Sequence, residues 1–109
     1  MPQATFVQEG MSIDYTPGAD VAAGDVVVQG DLVGVAKTEI KSGKLGALAV
    51  AGVFDFAKNT GVAYTAGQVL YWDDAVNVVT TAAPGNKLIG KVVRAAASAE
   101  TTVRVRLSQ

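Results

Sequence analysis

The stretch AGDVVVQGDLVGVA, Ala23 to Ala36, decides how the rest of the chain is read. Two short apolar runs, Val26-Val27-Val28 and Leu32-Val33-Gly34-Val35-Ala36, flank a Gly30-Asp31 turn. β-branched runs bounded by turn residues read as paired strands. The pattern returns downstream. Ala66-Gly67-Gln68-Val69-Leu70 matches Ala23-Gly24-Asp25-Val26-Val27, and Leu88-Ile89-Gly90-Lys91-Val92 matches Leu32–Ala36, with glycine third in the second strand each time. Such self-similarity points to one supersecondary unit used twice. The later copy has the longer connection, Asp73 to Gly85, with room for an additional strand at Val78-Val79.

Further strands are expected at Gly52–Phe56, Val69–Trp72, Asn77–Thr80, Leu88–Val93 and Val103–Leu107, separated by turns such as Asn59-Thr60-Gly61, Asp73-Asp74 and Pro84-Gly85-Asn86. This rhythm predicts an all-β fold, a small compact β-barrel, sandwich or β-tulip-like domain. Helix is expected to be limited to a short turn or two, in the alanine-rich patches Leu45–Ala51 and Ala95–Ala99, neither long enough to be a stable isolated helix. Residues 1–10 read as an extended N-terminal arm and residues 11–109 as one β domain.

With 109 residues the chain buries roughly two-thirds of the surface its unfolded form exposes, enough for one modest core. Half the residues are apolar, mostly alanine and valine, and twelve glycines add to the ordering cost on folding. Contacts with other copies or with a larger body are therefore expected to supply part of the stability. Nine basic and ten acidic residues, interspersed, leave a formal charge of −1 and no electrostatic footprint for nucleic acid. The absence of cysteine removes disulfides and thiol nucleophiles, and the absence of histidine removes the commonest zinc ligand and general base. No segment approaches the roughly 20 apolar residues that cross a bilayer as a helix. The sequence thus predicts no cofactor, no metal, no catalytic residues and no nucleic-acid or membrane partner.

Pro84 to Val93, PGNKLIGKVV, comes within one residue of a phosphate-binding loop, G-x-x-x-x-G-K-[ST]: Gly85, Gly90 and Lys91 fall at the required offsets, with Val92 in the hydroxyl position. A working loop needs a helix after the lysine. Here Val92-Val93-Arg94 reads as strand, and the repeat gives Gly90 the role of Gly34, a site of close backbone approach or a bulge. Asp73-Asp74 reads as a hairpin turn, since adjacent strand residues point to opposite faces. Lys37, Lys41 and Lys44 read as a solvated basic edge.

Arg104 and Arg106 alternate with Val103, Val105 and Leu107, so both guanidinium groups share one face of the last strand and are candidate interface residues. Trp72 is a third candidate, beside Tyr71; whichever of this pair points outward is available as a contact anchor.

Phe6–Gly10, Ile13–Pro17, Ala22–Val27, Leu32–Ala36, Gly52–Phe54, Gly67–Asp73, Leu88–Gly90 and Val103–Leu107, taken in order, resemble a family of small tailed-phage and prophage proteins that decorate, or cement, the capsid. The resemblance covers residues 5 to about 107 as an ordered series, with no single specific motif. It implies a β decoration domain, a homo-oligomer (trimer) on the outer surface of an expanded head, made in the host cytoplasm and partnered by the major capsid protein. A recombinase-type label also given to family members does not suit the sequence, since such an ATPase core needs a phosphate loop and far more chain. Gln3, Ala4, Thr5, Phe6 and Val7 are the candidate capsid-contact arm, able to add as a strand to a capsid edge. A carbohydrate- or surface-binding β module displayed on a virion is the alternative, with Tyr64, Tyr71 and Trp72 as its aromatic platform.

Overall fold

A computed structural model describes residues 3–109. Its strands are β1 (Ser12–Tyr15), β2 (Val26–Gln29), β3 (Leu32–Val35), β4 (Gly46–Ala49), β5 (Gly52–Ala57), β6 (Val69–Asp73), β7 (Val78–Thr80), β8 (Lys87–Arg94) and β9 (Thr102–Leu107). They form two antiparallel sheets, one ordered β1-β4-β3-β2 and the other β5-β9-β8-β6-β7. No helix occurs among the described residues: Gly46–Ala49 is strand, and the Ala95–Ala99 patch holds an isolated bridge at Ala96 and a turn at Ser98-Ala99.

The sequence repeat reappears in the hydrogen bonds. Gly24 N–H donates to Ala36 O at 2.6 Å and Gly67 N–H to the matching Val92 O at 2.7 Å, while Ala36 N–H returns to Asp25 O and Val92 N–H to Gln68 O. Both glycines hold positive φ, 91° and 89°, which favours a residue without Cβ. Each turn is closed by the next side chain: Asp25 Oδ2 accepts from Ala22 N–H and Gln68 Oε1 from Thr65 N–H. Even the isolated bridges correspond, Val21–Ile40 in the first half and Tyr64–Ala96 in the second. Placing β1, β4, β3 and β2 against β5, β9, β8 and β6 gives the same strand order twice, and β7 is the strand that the longer second connection adds. The fold is a four-stranded unit built twice.

Of the expected all-β forms, the structure is two packed open sheets and not a closed barrel. Each unit completes its ladder within its own strands, leaving β1 and β2 as edges of one sheet and β5 and β7 as edges of the other. The units meet by packing. Val33 and Val35 of β3 join Phe56, Leu70, Trp72, Val79, Ile89, Val92, Val103, Val105 and Leu107 in the main core. These residues alternate along β9 as exposed and buried, which is the period of a sheet with one face covered. The opposite face of the four-stranded sheet holds a smaller cluster, Val21, Ala36, Ile40 and Leu48, with Ile13, Tyr15 and Val27 against it.

Two side chains make polar contacts between the two units among the described residues: Lys87 Nζ donates to Asp31 Oδ1 at 2.7 Å, and Gln109 reaches β3. The Gln109 side chain behaves as a strand partner for Val33, its Oε1 accepting from Val33 N–H at 2.7 Å and its Nε2 donating to Val33 O at 2.6 Å. β3 meets β4 in register only at Val35–Ala49, so the peptide groups of fully buried Val33 depend on this amide. Gln109→Ala is expected to remove about 1–3 kcal/mol of stability, the usual penalty for orphaned buried polar groups. Equilibrium urea unfolding checks it, and an unchanged midpoint would mean that water replaces the amide.

Candidate functional site

The near phosphate loop is not a cradle. Gly85 occupies a turn with φ 77°, and Lys87–Arg94 then runs as one uninterrupted strand that places Lys91 mid-sheet with no helix behind it. Gly90 has the role its counterpart suggests. A Cβ built on Gly90 would lie 1.9 Å from Arg106 O, and one on Gly34 would lie 2.9 Å from Leu48 Cβ. The ladder shifts register here, since Leu70 faces Gly90 while Tyr71 faces Leu88, so Ile89 is the extra residue of a bulge.

That bulged strand helps form the outward face of the five-stranded sheet. Across it Val69, Lys91, Arg106 and Val53 lie in one cross-strand row, and Asp55, Arg104 and Arg94 in the next. Asp55 accepts two bonds from Arg104, Nε at 3.0 Å and Nη2 at 3.2 Å. The arginine's hydrogen bond holds the Asp55 carboxyl below the usual carboxylate range, with desolvation opposing it. Both side chains are nearly half exposed, so the pair fixes geometry more than it stabilises. Among the described residues Arg106 has no such partner. It lines, with Val69, Tyr71, Leu88, Lys91 and Val93, a groove of about 550 Å³.

The adjacent aromatics divide between the two faces. Trp72 is 4 % exposed, packed on Phe56 with ring centroids 5.8 Å apart, and its Nε1 reaches Asp74 Oδ1 at 3.1 Å. It lies in the core. Tyr71 is the outward member and forms part of the groove wall. Tyr64 is also buried, its phenol pushed upward in pKa by that burial, so Tyr64, Tyr71 and Trp72 form no common aromatic platform. Asp73 and Asp74 belong to the β6–β7 hairpin, with Asp73 Oδ1 accepting from Ala75 N–H and Asn77 at positive φ of 58°. Lys37, Lys41 and Lys44 are exposed, and Lys41 pairs with Asp20 and Glu39.

The N-terminal segment is another exposed apolar feature. Residues 3–10 carry no strand and every one is exposed, with Phe6 at 78 % and Val7 at 84 %. The segment is rooted where Val50 N–H donates to Met11 O. Gln3, Ala4, Thr5, Phe6 and Val7 all lie in this projecting stretch.

Sequence reading missed Lys58. It is 5 % exposed, and its ammonium donates to Glu100 O at 2.7 Å and, at longer range, to Ala97 O and Ser98 O. A lone lysine after Phe56-Ala57 gives no local signal that a loop some 40 residues later will enclose it.

The described residues thus present two open sheets, an outward sheet face on which Lys91 and Arg106 adjoin apolar side chains, and an exposed N-terminal segment carrying Phe6 and Val7. The chain belongs to the phage cement protein family, whose model matches residues 7–107. That family is a structural one, and membership associates the chain with a phage capsid and with the virion. No curated protein and no solved structure matches the chain.

Proposed function

We propose that this protein is a decoration protein, made in the host cytoplasm, that binds the outer surface of a phage head at junctions between major capsid protein subunits and stabilises the head there as a homo-oligomer, a trimer. The observation that carries this reading is the family match across nearly the whole described chain, residues 7–107. The surfaces agree with it. A cement protein needs several contact patches on a rigid body, and the exposed arm and the groove-bearing sheet face are two such patches on one small core. Simultaneous attachment at several points raises avidity without any strong single site, because each further contact forms at high effective concentration. Seated across a junction, the protein resists rupture because its contacts must break before neighbouring subunits part.

The test is to mix purified protein with expanded capsids that lack it. Co-sedimentation at a fixed ratio to capsid subunits, together with greater heat resistance of the heads, is the expected result. Removal of residues 2–8 is expected to abolish attachment while the domain stays folded, since the projecting segment makes little of the core. Absence of any co-sedimentation by the intact protein would reject the cement reading.

A further inference from the structure

The outward sheet face and the arm are each incomplete alone. Lys91 and Arg106 are direct cross-strand neighbours, two like charges in an arrangement that is unfavourable without a counter-charge. Neither belongs to an ion pair among the described residues, where the acidic partners are Asp20, Glu39, Asp31 and Asp55. Around them Val69, Tyr71 and Leu88 give the groove an apolar floor. The arm carries the complement: the exposed pair Phe6-Val7, then Glu9, exposed and in none of those ion pairs. In an extended chain Val7 and Glu9 fall on the same side, about 7 Å apart, and neighbouring strands lie about 4.8 Å apart. A segment crossing the strands would therefore place one residue on the floor and the other over the cations.

We propose that the groove of one copy receives the N-terminal arm of a second copy, with Val7 seated on Val69, Tyr71 and Leu88, and Glu9 between Lys91 and Arg106. Such an arm-to-groove contact joins unlike surfaces, so it repeats from copy to copy and gives a closed ring when the rotation closes. The inference deepens the cement reading by naming the contact that holds neighbouring decoration subunits together, and it rests on that reading for its setting.

The full chain is followed by sedimentation velocity across a range of concentrations, beside Lys91→Glu/Arg106→Glu, Glu9→Lys and the triple variant. Wild type is expected to self-associate; either charge change alone should weaken association at least tenfold, and the triple variant, with both charges exchanged, should recover most of the loss. Thermal melts confirm that the variants are folded, and Lys91→Gln/Arg106→Gln serves if the reversal is not. A wild type that stays monomeric, a groove reversal without effect, or a triple variant without recovery each overturns the proposal. Capsid co-sedimentation separates the two readings. Binding by a monomeric wild type sends the arm to the shell and keeps the cement role, whereas self-association without capsid binding keeps the arm contact and rejects that role.

Discussion

Gly90→Ala is expected to leave too little stability for a soluble native protein. The added Cβ would sit 1.9 Å from Arg106 O and 3.1 Å from Ser108 N, both backbone atoms of the neighbouring strand and its continuation. No rotamer relieves a contact made by Cβ itself. The residue also holds φ at 148°, a conformation that side-chain-bearing residues rarely adopt. Relief requires β8 and β9 to separate at the Gly90–Leu107 pair, where Leu107 is core and Ser108 N–H donates to Ile89 O at 2.8 Å. Such combined strain and core disruption falls in the class of losses above about 4 kcal/mol, against a total of about 5–15 kcal/mol for a typical protein. Gly34→Ala is the informative control. Its Cβ meets Leu48 Cβ at 2.9 Å and Cδ1 at 3.2 Å, side-chain atoms at an ordinary φ, so an overpacking loss of about 1–3 kcal/mol is expected. The yield of folded protein and the urea midpoint decide. A Gly90→Ala variant as stable as Gly34→Ala would show that the bulge does not bring these backbones together.

The two glycines show what local pattern carries and what it does not. The repeat was legible because turn glycine, apolar strand and third-position glycine are local signals, and they mark equivalent points in both units. Runs such as Val26–Gln29, Val69–Asp73 and Thr102–Leu107 became strands because β-branched alternation is also local. β4 was not legible: Gly46-Ala47-Leu48-Ala49 has alanine-rich, helix-compatible composition, and it becomes strand because β1 supplies four register partners and Leu48 fills the smaller core. β1 itself, Ser12-Ile13-Asp14-Tyr15, is too short and polar to stand out without that partner. Whether the sheets close is not legible for a related reason, since strand spacing reports how many strands exist and not whether the first and last of them pair. Within the candidate site, alternation puts Arg104 and Arg106 on one face, but only the folded structure separates the arginine spent on Asp55 from the one beside Lys91. Adjacent Tyr71 and Trp72 had to face opposite ways, and the sequence alone could not say which faced in.

Lys58→Met is expected to lower stability by about 2–4 kcal/mol although methionine fills similar space and removes a buried charge. In many buried ion pairs an apolar replacement is harmless because both charges leave together. Here the partners stay. Glu100 O, Ala97 O and Ser98 O are backbone carbonyls of the loop between β8 and β9, and no substitution at position 58 removes them. The ammonium also lies 5.9 Å from the Tyr64 ring, a modest further attraction. That loop docks through Tyr64 N–H to Ala96 O, Gly61 N–H to Ser98 O and Lys58 N–H to Thr101 O, so losing the central cation loosens a segment that covers one end of the core. For a domain of about this size the loss corresponds to a fall in Tm of roughly 10–20 °C. Hydrogen exchange should quicken first at the Gly61 and Tyr64 amides, while the Gly24 and Gly67 turn amides, held by the repeat's own ladder, keep their protection until global unfolding. A melting temperature within a degree or two of wild type would mean that water satisfies the three carbonyls, and that Lys58 fills space without organising the loop.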